Sequence, residues 1–127
     1  LDTNVVIRIL INDDPEQARR AAKMVTHNQV FISKTVFVES EWVLRKACKL
    51  DRRSIQNAFE YLLGLPYIHV EDPTVIQTAL EGYSRGLDFA DGVHLASSHK
   101  AAKFATFDRK LIKNSCLFSG VIEVVEP

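Results

Sequence analysis

The residues of this chain best suited to chemistry are acids at positions where the backbone changes character. Asp2 directly precedes Thr3-Asn4 and the apolar run Asn4 to Ile11, and Asp108 follows Ala105-Thr106-Phe107 and precedes Arg109-Lys110-Leu111-Ile112. Both are expected where a strand gives way to a helix. There an Asp can cap the helix, or it can serve a ligand, because open parallel sheets bind ligands outside the carboxyl ends of their strands. Asp88 and Asp91, in Leu87-Asp88-Phe89-Ala90-Asp91-Gly92, lie three apart in a helix's first turn, close enough for one site. The bland alternative is that Asp88 caps and Asp91 sits favourably at the positive helix end. Glu39 has Val36, Trp42 and Val43 as helical neighbours and is expected to project from a partly apolar flank. A carboxylate beside a core needs a partner or a metal. Glu41, two residues on, is expected to point away into solvent.

Carboxylates converging without Cys or His describe a site for a hard, oxygen-loving cation such as Mg²⁺ or Mn²⁺, and such a cation suits phosphoryl chemistry. Two basic clusters could hold a polyanion: Lys100, Lys103, Arg109, Lys110 and Lys113 in one stretch, and Arg45, Lys46, Lys49, Arg52 and Arg53 in another. Solvated helix faces account for the clusters equally well, so their value depends on the acids.

Other chemistries fit poorly. His27, His69, His94 and His99 are scattered, with no C-x-x-C, and the closest pair is five apart. That spacing puts the two rings about 140° apart on a helix, so a zinc site is not expected. Cys48 and Cys116 are expected to be buried, reduced thiols. Sixteen basic residues balance sixteen acidic ones. Overall charge therefore points to no polyanionic or membrane partner, and any such surface must be local. The longest apolar run is interrupted by Arg8 and is shorter than the ~20 residues of a membrane span. The start, Leu1-Asp2-Thr3, lacks an initiator Met and the basic beginning of a signal peptide. The native chain is therefore expected to begin a few residues earlier and the protein to be cytoplasmic.

These acids need elements to position them. Asp14-Pro15 opens a helix running to Val25, Gln29–Ser33 reads as a strand, and Thr35–Lys49 as a helix with Val36, Ser40, Val43 and Ala47 at helical spacing and Phe37 and Leu44 widening the stripe. A helix over Ser54–Leu63 ends at Gly64, Tyr67–Val70 is strand-like, and Pro73 opens a helix ending near Gly86. Asp88 to His99 is helical, Lys103–Thr106 a strand, Arg109–Asn114 a short helix and Gly120–Val125 a last strand. With 127 residues, 46% of them hydrophobic, no repeat and no linker, one domain over residues 1–127 is expected. Short strands alternating with helices imply a mostly parallel sheet covered by helices, an α/β fold.

Taken in order, Asp2-Thr3-Asn4, Glu39 in Val38-Glu39-Ser40-Glu41-Trp42-Val43-Leu44, Asp88-Phe89-Ala90-Asp91-Gly92-Val93-His94-Leu95 and Thr106-Phe107-Asp108-Arg109 resemble the motifs of PIN-domain ribonucleases, specifically bacterial VapC-type toxins. The resemblance covers essentially the whole chain. It implies an α/β/α sandwich around a mostly parallel central sheet, and a Mg²⁺- or Mn²⁺-dependent endoribonuclease, the toxin of a type II toxin–antitoxin pair. The implied partners are RNA, a small VapB-type antitoxin and a second copy in a homodimer. By the same resemblance Asp2, Glu39, Asp91 and Asp108 are the acidic catalytic and metal-binding quartet, and Asp88 is an additional ligand. Asn4 and Thr106 are supporting polar residues, and Arg109 and Lys110 are expected to contact RNA. Gly92, where many relatives carry Ala, is expected to loosen its helix without removing a ligand. Two other readings stay open: a PIN-type RNA-processing or DNA-cleaving nuclease outside a toxin system, and a non-catalytic module that binds metal or phosphate. A receiver-type signalling domain would need a mid-chain strand-end Asp and a later strand-end Lys, and neither is evident.

Overall fold

Nearly every helix in this chain begins behind a side chain that can satisfy the free amides of a first turn. A computed structural model describes residues 1–127, and its elements group into two units, Leu1–Glu71 and Asp72–Pro127.

In the first unit, α1 (Thr3–Leu10) starts at Asp2 and α2 (Pro15–His27) at Asp14, whose carboxylate accepts the Gln17 amide at 3.0 Å. Strand β1 (Val30–Ile32) leads into α3 (Lys34–Lys46) behind Ser33, and α4 (Arg52–Gly64) follows Asp51, which accepts the Ser54 amide at 2.8 Å. Strand β2 (Ile68–Val70) pairs parallel with β1 in the register Val30 to Ile68, Phe31 to His69 and Ile32 to Val70. Val6, Ile32, Phe37, Leu44, Ile55, Phe59 and Leu62 are fully buried. Phe37 and Phe59 meet edge to face, with centroids 5.1 Å apart, a geometry that adds about 1 kcal/mol beyond area burial.

In the second unit, α5 (Pro73–Ser84) begins after Asp72, which takes the left-handed conformation at φ 47° and makes no side-chain cap. Pro73 supplies the helix start instead, since its fixed φ suits a first turn. Helix α6 (Phe89–Ser97) is followed by β3 (Lys103–Ala105), α7 (Arg109–Asn114), a 3₁₀ turn over Ser115–Leu117, and β4 (Glu123–Val125). Strands β3 and β4 are parallel, Lys103 opposite Glu123 and Ala105 opposite Val125. Leu87, Leu95 and Leu111 form one buried cluster, packed by Phe104, Leu117, Phe118, Ile122 and Val124, and Ile76, Ala79, Tyr83 and Phe89 are also buried. The expectation of an α/β fold with parallel strands is met, the strands pairing two and two.

Four details differ from the sequence expectation. The buried residues of α3 are Phe37, Ser40, Glu41 and Leu44. Of the expected stripe Phe37, Ser40 and Leu44 are buried, Val36 and Val43 are half-buried and Ala47 is exposed, whereas Glu41 is expected in solvent. The polar Glu41 at a core position runs against the expectation, as does the exposed Ala47. Glu41 is only 4% exposed and is held by Arg45, whose Nε lies 2.8 Å from Glu41 Oε1; an ion pair makes such burial tolerable. Cys48 is half-buried and Cys116 exposed, with no disulfide, instead of both being buried. The last strand begins at Glu123 rather than Gly120, Val121 being 98% exposed. Gly92, finally, is a packing residue rather than a loose point in the helix. A Cβ there would lie 3.1 Å from the Ala79 Cα and 3.3 Å from its carbonyl oxygen, so the bare glycine lets α6 approach the α5 backbone closely.

Candidate functional site

Three of the expected acids sit at helix starts of the second unit. Asp88 Oδ1 accepts the Asp91 amide at 3.0 Å. Asp108 Oδ1 accepts two amides, Lys110 at 2.9 Å and Leu111 at 3.1 Å. Both are therefore genuine caps, but each caps with a single oxygen, and Oδ2 of each accepts no hydrogen bond. Asp108 is itself braced from behind, because its own amide donates to the Thr106 hydroxyl at 3.0 Å while the Thr106 amide donates to Val125 O at 2.9 Å. Thr106 thus fixes the turn that carries Asp108 at the end of β3.

Asp91 differs from the two caps. It is half-buried in the first turn of α6. Burial pushes its proton affinity above the usual carboxylate range, the Asp88 and Asp108 carboxylates push the same way, and His94 and Lys110 oppose them. The physical content is an excess of negative charge with too little water and too little local cation to offset it. A divalent cation would relieve that excess.

The first unit carries the other expected residues. Asp2 is exposed and its Oδ1 accepts the adjacent Thr3 amide at 2.9 Å, again leaving Oδ2 without a hydrogen bond. Glu39 is exposed. The apolar flank expected around it is not a buried one, since Trp42 is 57% exposed and Val36 and Val43 are half-buried. The expectations for the two glutamates of α3 are thus reversed: Glu41 is the buried, paired acid and Glu39 the solvent-facing one. Asn4 is exposed on α1 and lines a groove of about 480 Å³ with Val5, Arg8, Gln17, Arg20 and Met24. A second groove of about 450 Å³ runs along α5 and α6 past His99 and Phe118. None of the five acids lines either groove.

The basic clusters are only partly available. Arg45 is committed to Glu41, Lys103 lies 3.4 Å from Glu123, and Arg109 lies 3.9 Å from Glu126. The Arg109 side chain is nonetheless 86% exposed, and Lys110 is exposed on the first turn of α7. Exposed pairs of this kind hold their partners weakly.

Oxygen donors alone, several with a free Oδ2, suit Mg²⁺ or Mn²⁺ and not zinc. Within neither unit do three or more Asp, Glu, His or Cys side chains gather closely enough to hold an ion as they stand. The donor chemistry fits the cation, while a preformed cage is not built inside either unit. No helix is long and apolar enough to cross a membrane.

The PIN domain family model matches residues 1–115. Neither a curated protein nor a solved structure matches the chain. The family match runs through both units and includes Asp2, Glu39, Asp88, Asp91 and Asp108, so the chain belongs to the PIN-domain family, whose members are typically metal-dependent nucleases.

Proposed function

We propose that this protein is a Mg²⁺- or Mn²⁺-dependent endoribonuclease acting as the toxin of a VapC-type toxin–antitoxin pair. The observation that carries the nuclease reading is Asp91, half-buried beside Asp88 and Asp108 with its proton affinity raised by all three causes. Carboxylates raised by burial together with like charge mark functional sites more often than ordinary surface acids do. Asp2, Glu39, Asp91 and Asp108 are the proposed metal ligands and Asp88 an additional one. The geometry around α6 and α7 supports the last three, and the motif order supports Asp2 and Glu39. When bound, the cation would lower the pKa of a water molecule and stabilise charge on the phosphate oxygens.

The chain's own residues then have defined tasks. The Oδ2 atoms that capping leaves free are available to a ligand, while Oδ1 ties each acid to a helix start and keeps its orientation. Thr106 holds the Asp108 turn. One carboxylate of the set takes the proton of the attacking water, and in-line attack leaves a 5′-phosphate and a 3′-hydroxyl. Arg109 and Lys110 attract the polyanion. A VapB-type antitoxin and a second copy of the chain are the proposed protein partners.

The test is cleavage of labelled RNA and of single-stranded DNA in Mg²⁺, Mn²⁺, Ca²⁺ and chelator. RNA cut in Mg²⁺ or Mn²⁺, and not in chelator, is the expected result. Full activity in chelator overturns the metal assignment, and preferential cutting of DNA overturns the ribonuclease one. The toxin role is tested by co-expressing a short DNA-binding protein encoded next to this gene, which should abolish cleavage.

A further inference from the structure

Phe107 stands between Thr106 and Asp108 and is 76% exposed. Single exposed apolar side chains are common and by themselves mean little. This one differs in how it is held. On one side the Thr106 amide is bonded to Val125 O, and the Thr106 hydroxyl accepts the Asp108 amide. On the other, Asp108 caps α7 through two amides. The backbone carrying Phe107 is therefore fixed at both ends, while its ring has no place in the apolar cluster of Leu87, Leu95, Leu111 and their neighbours. A rigid backbone presenting an uncovered aromatic ring loses little conformational freedom when something flat is laid on it.

The surroundings say what that would be. Phe107 is followed by Asp108, then by the exposed cations Arg109 and Lys110, with Lys113 also exposed on the same short helix. An aromatic platform beside a short cationic run is the combination that holds single-stranded nucleic acid, the ring taking a base and the cations the backbone. Single-stranded RNA is also read chiefly through unstacked bases laid on aromatic side chains.

We propose that Phe107 is a stacking platform for one nucleobase of a single-stranded RNA, placing the adjoining phosphate beside Asp108. The proposal rests on the nuclease reading above for its substrate, but not for its measurement. Stacking makes Phe107 a substrate-binding residue and assigns it no proton or metal.

Binding is measured in Ca²⁺ by fluorescence anisotropy, with gels confirming that the RNA stays intact. The probe is a labelled single-stranded oligoribonucleotide, and a companion series carries one abasic ribose at each successive position. Phe107→Ala should weaken binding of intact RNA about tenfold, and Phe107→Trp should bind at least as tightly as wild type. One abasic position should cost wild type a similar factor and cost Phe107→Ala nothing further, because the missing ring and the missing base are two halves of one contact. Thermal midpoints within experimental error of wild type show that the variants are folded, as expected for so exposed a ring. Equal RNA binding by wild type and Phe107→Ala overturns the platform and leaves the ring as a surface for a protein partner. An abasic series with no sensitive position overturns it as well. Phe107-dependent binding with no divalent-dependent cleavage supports the platform and defeats the nuclease reading, whereas cleavage without Phe107 dependence does the reverse. Wild type that binds no RNA defeats both.

Discussion

The starts of α4 and α6 are written in nearly the same way, yet they end in opposite electrostatic states. Each begins behind an Asp whose carboxylate accepts the amide three residues on, Ser54 for Asp51 and Asp91 for Asp88. At Asp51 the Ser54 backbone amide, then the Ser54 hydroxyl, hold the carboxyl below its usual range; burial opposes them and Arg53 assists. The residue three beyond Asp88 is instead another acid, half-buried and facing Asp88 and Asp108, and its proton affinity rises. A helix start that closes its own hydrogen bonds is a structural feature. One that adds a second acid in its first turn, with a further Asp at the end of a later strand raising that acid's proton affinity, carries negative charge that its own hydrogen bonds do not offset. The difference lies in one residue type at the third position and in a strand end that arrives from elsewhere in the chain.

The sharpest way to break this contrast is to neutralise each side of it. Asp91→Asn keeps the shape and removes the charge, and single-turnover RNA cleavage should fall by about a thousandfold or more, since the positioned cation supplies much of the transition-state stabilisation. Asp51→Asn should cleave like wild type. Comparable losses in the two variants would mean that the start of α6 is no more special than that of α4.

Metal removal gives the next largest effect. Saturating Mg²⁺ or Mn²⁺ should raise the thermal midpoint of wild type and of Asp51→Asn, because a ligand bound only by the native state stabilises it by about 2.7 kcal/mol at a hundred times its Kd. The midpoint of Asp91→Asn should barely move. In chelator the ordering changes: Asp91→Asn should melt no lower than wild type, since the substitution relieves like-charge repulsion. A variant that melts well below wild type in chelator and still cuts RNA would make Asp91 a structural acid.

How far the sequence disclosed this contrast depends on the range of the forces involved. Local signals read well: Asp14-Pro15, Ser54 to Gly64, Pro73 and Arg109–Asn114 all appear within a few residues of their expected helices, because caps, prolines and glycines act on their own turn. Asp88 and Asp108 are caps as the bland reading had it, and the single-oxygen geometry shows that capping leaves Oδ2 of each unbonded. What could not be read was set by packing at a distance. Along α3 the buried Phe37, Ser40 and Leu44 were legible, but Glu41 beside them was expected in solvent, because the Arg45 pair that makes its burial tolerable is not written in hydrophobicity. Gly92 looked like a weak point because helix propensity is a property of one residue, whereas its reason is Ala79 on another helix. The brace from Thr106 to Asp108 was implied only by motif resemblance, because its chemistry, a hydroxyl accepting an amide, depends on the turn the backbone makes at the end of β3.

A smaller effect separates cap from ligand at Asp88 itself. Asp88→Ala should lower stability by about 1 kcal/mol in denaturant titrations, the usual loss for an Asp cap, while Asp88→Asn should restore most of it because Asn caps nearly as well. If Asp88 is also a ligand, Asp88→Asn will remain impaired in cleavage at limiting Mg²⁺ although its stability is recovered. Full recovery of both would restrict Asp88 to capping. The same pair of substitutions at Asp51 should change stability and leave cleavage alone.

The smallest expected effect is in the pH dependence of stability, and it tests the comparison without any metal or RNA. Asp91 has a raised folded-state pKa, so between its ordinary value of 3.8 and that higher value the native state binds more protons than the unfolded chain. Stability therefore falls as pH rises through that window. Asp51 is lowered from 3.8, so its contribution is present above that value and is lost as pH falls through the lower one. Unfolding midpoints measured in chelator across the acid range should show the two variants moving in opposite senses. Asp91→Asn should remove the decline of stability with rising pH that this carboxyl produces above 3.8. Asp51→Asn should flatten the acid limb instead, because it removes a group that favours folding only when charged. If the two curves shift in the same direction, the like-charge crowding assigned to the start of α6 is absent from the folded protein, and the case for a cation there loses its physical basis.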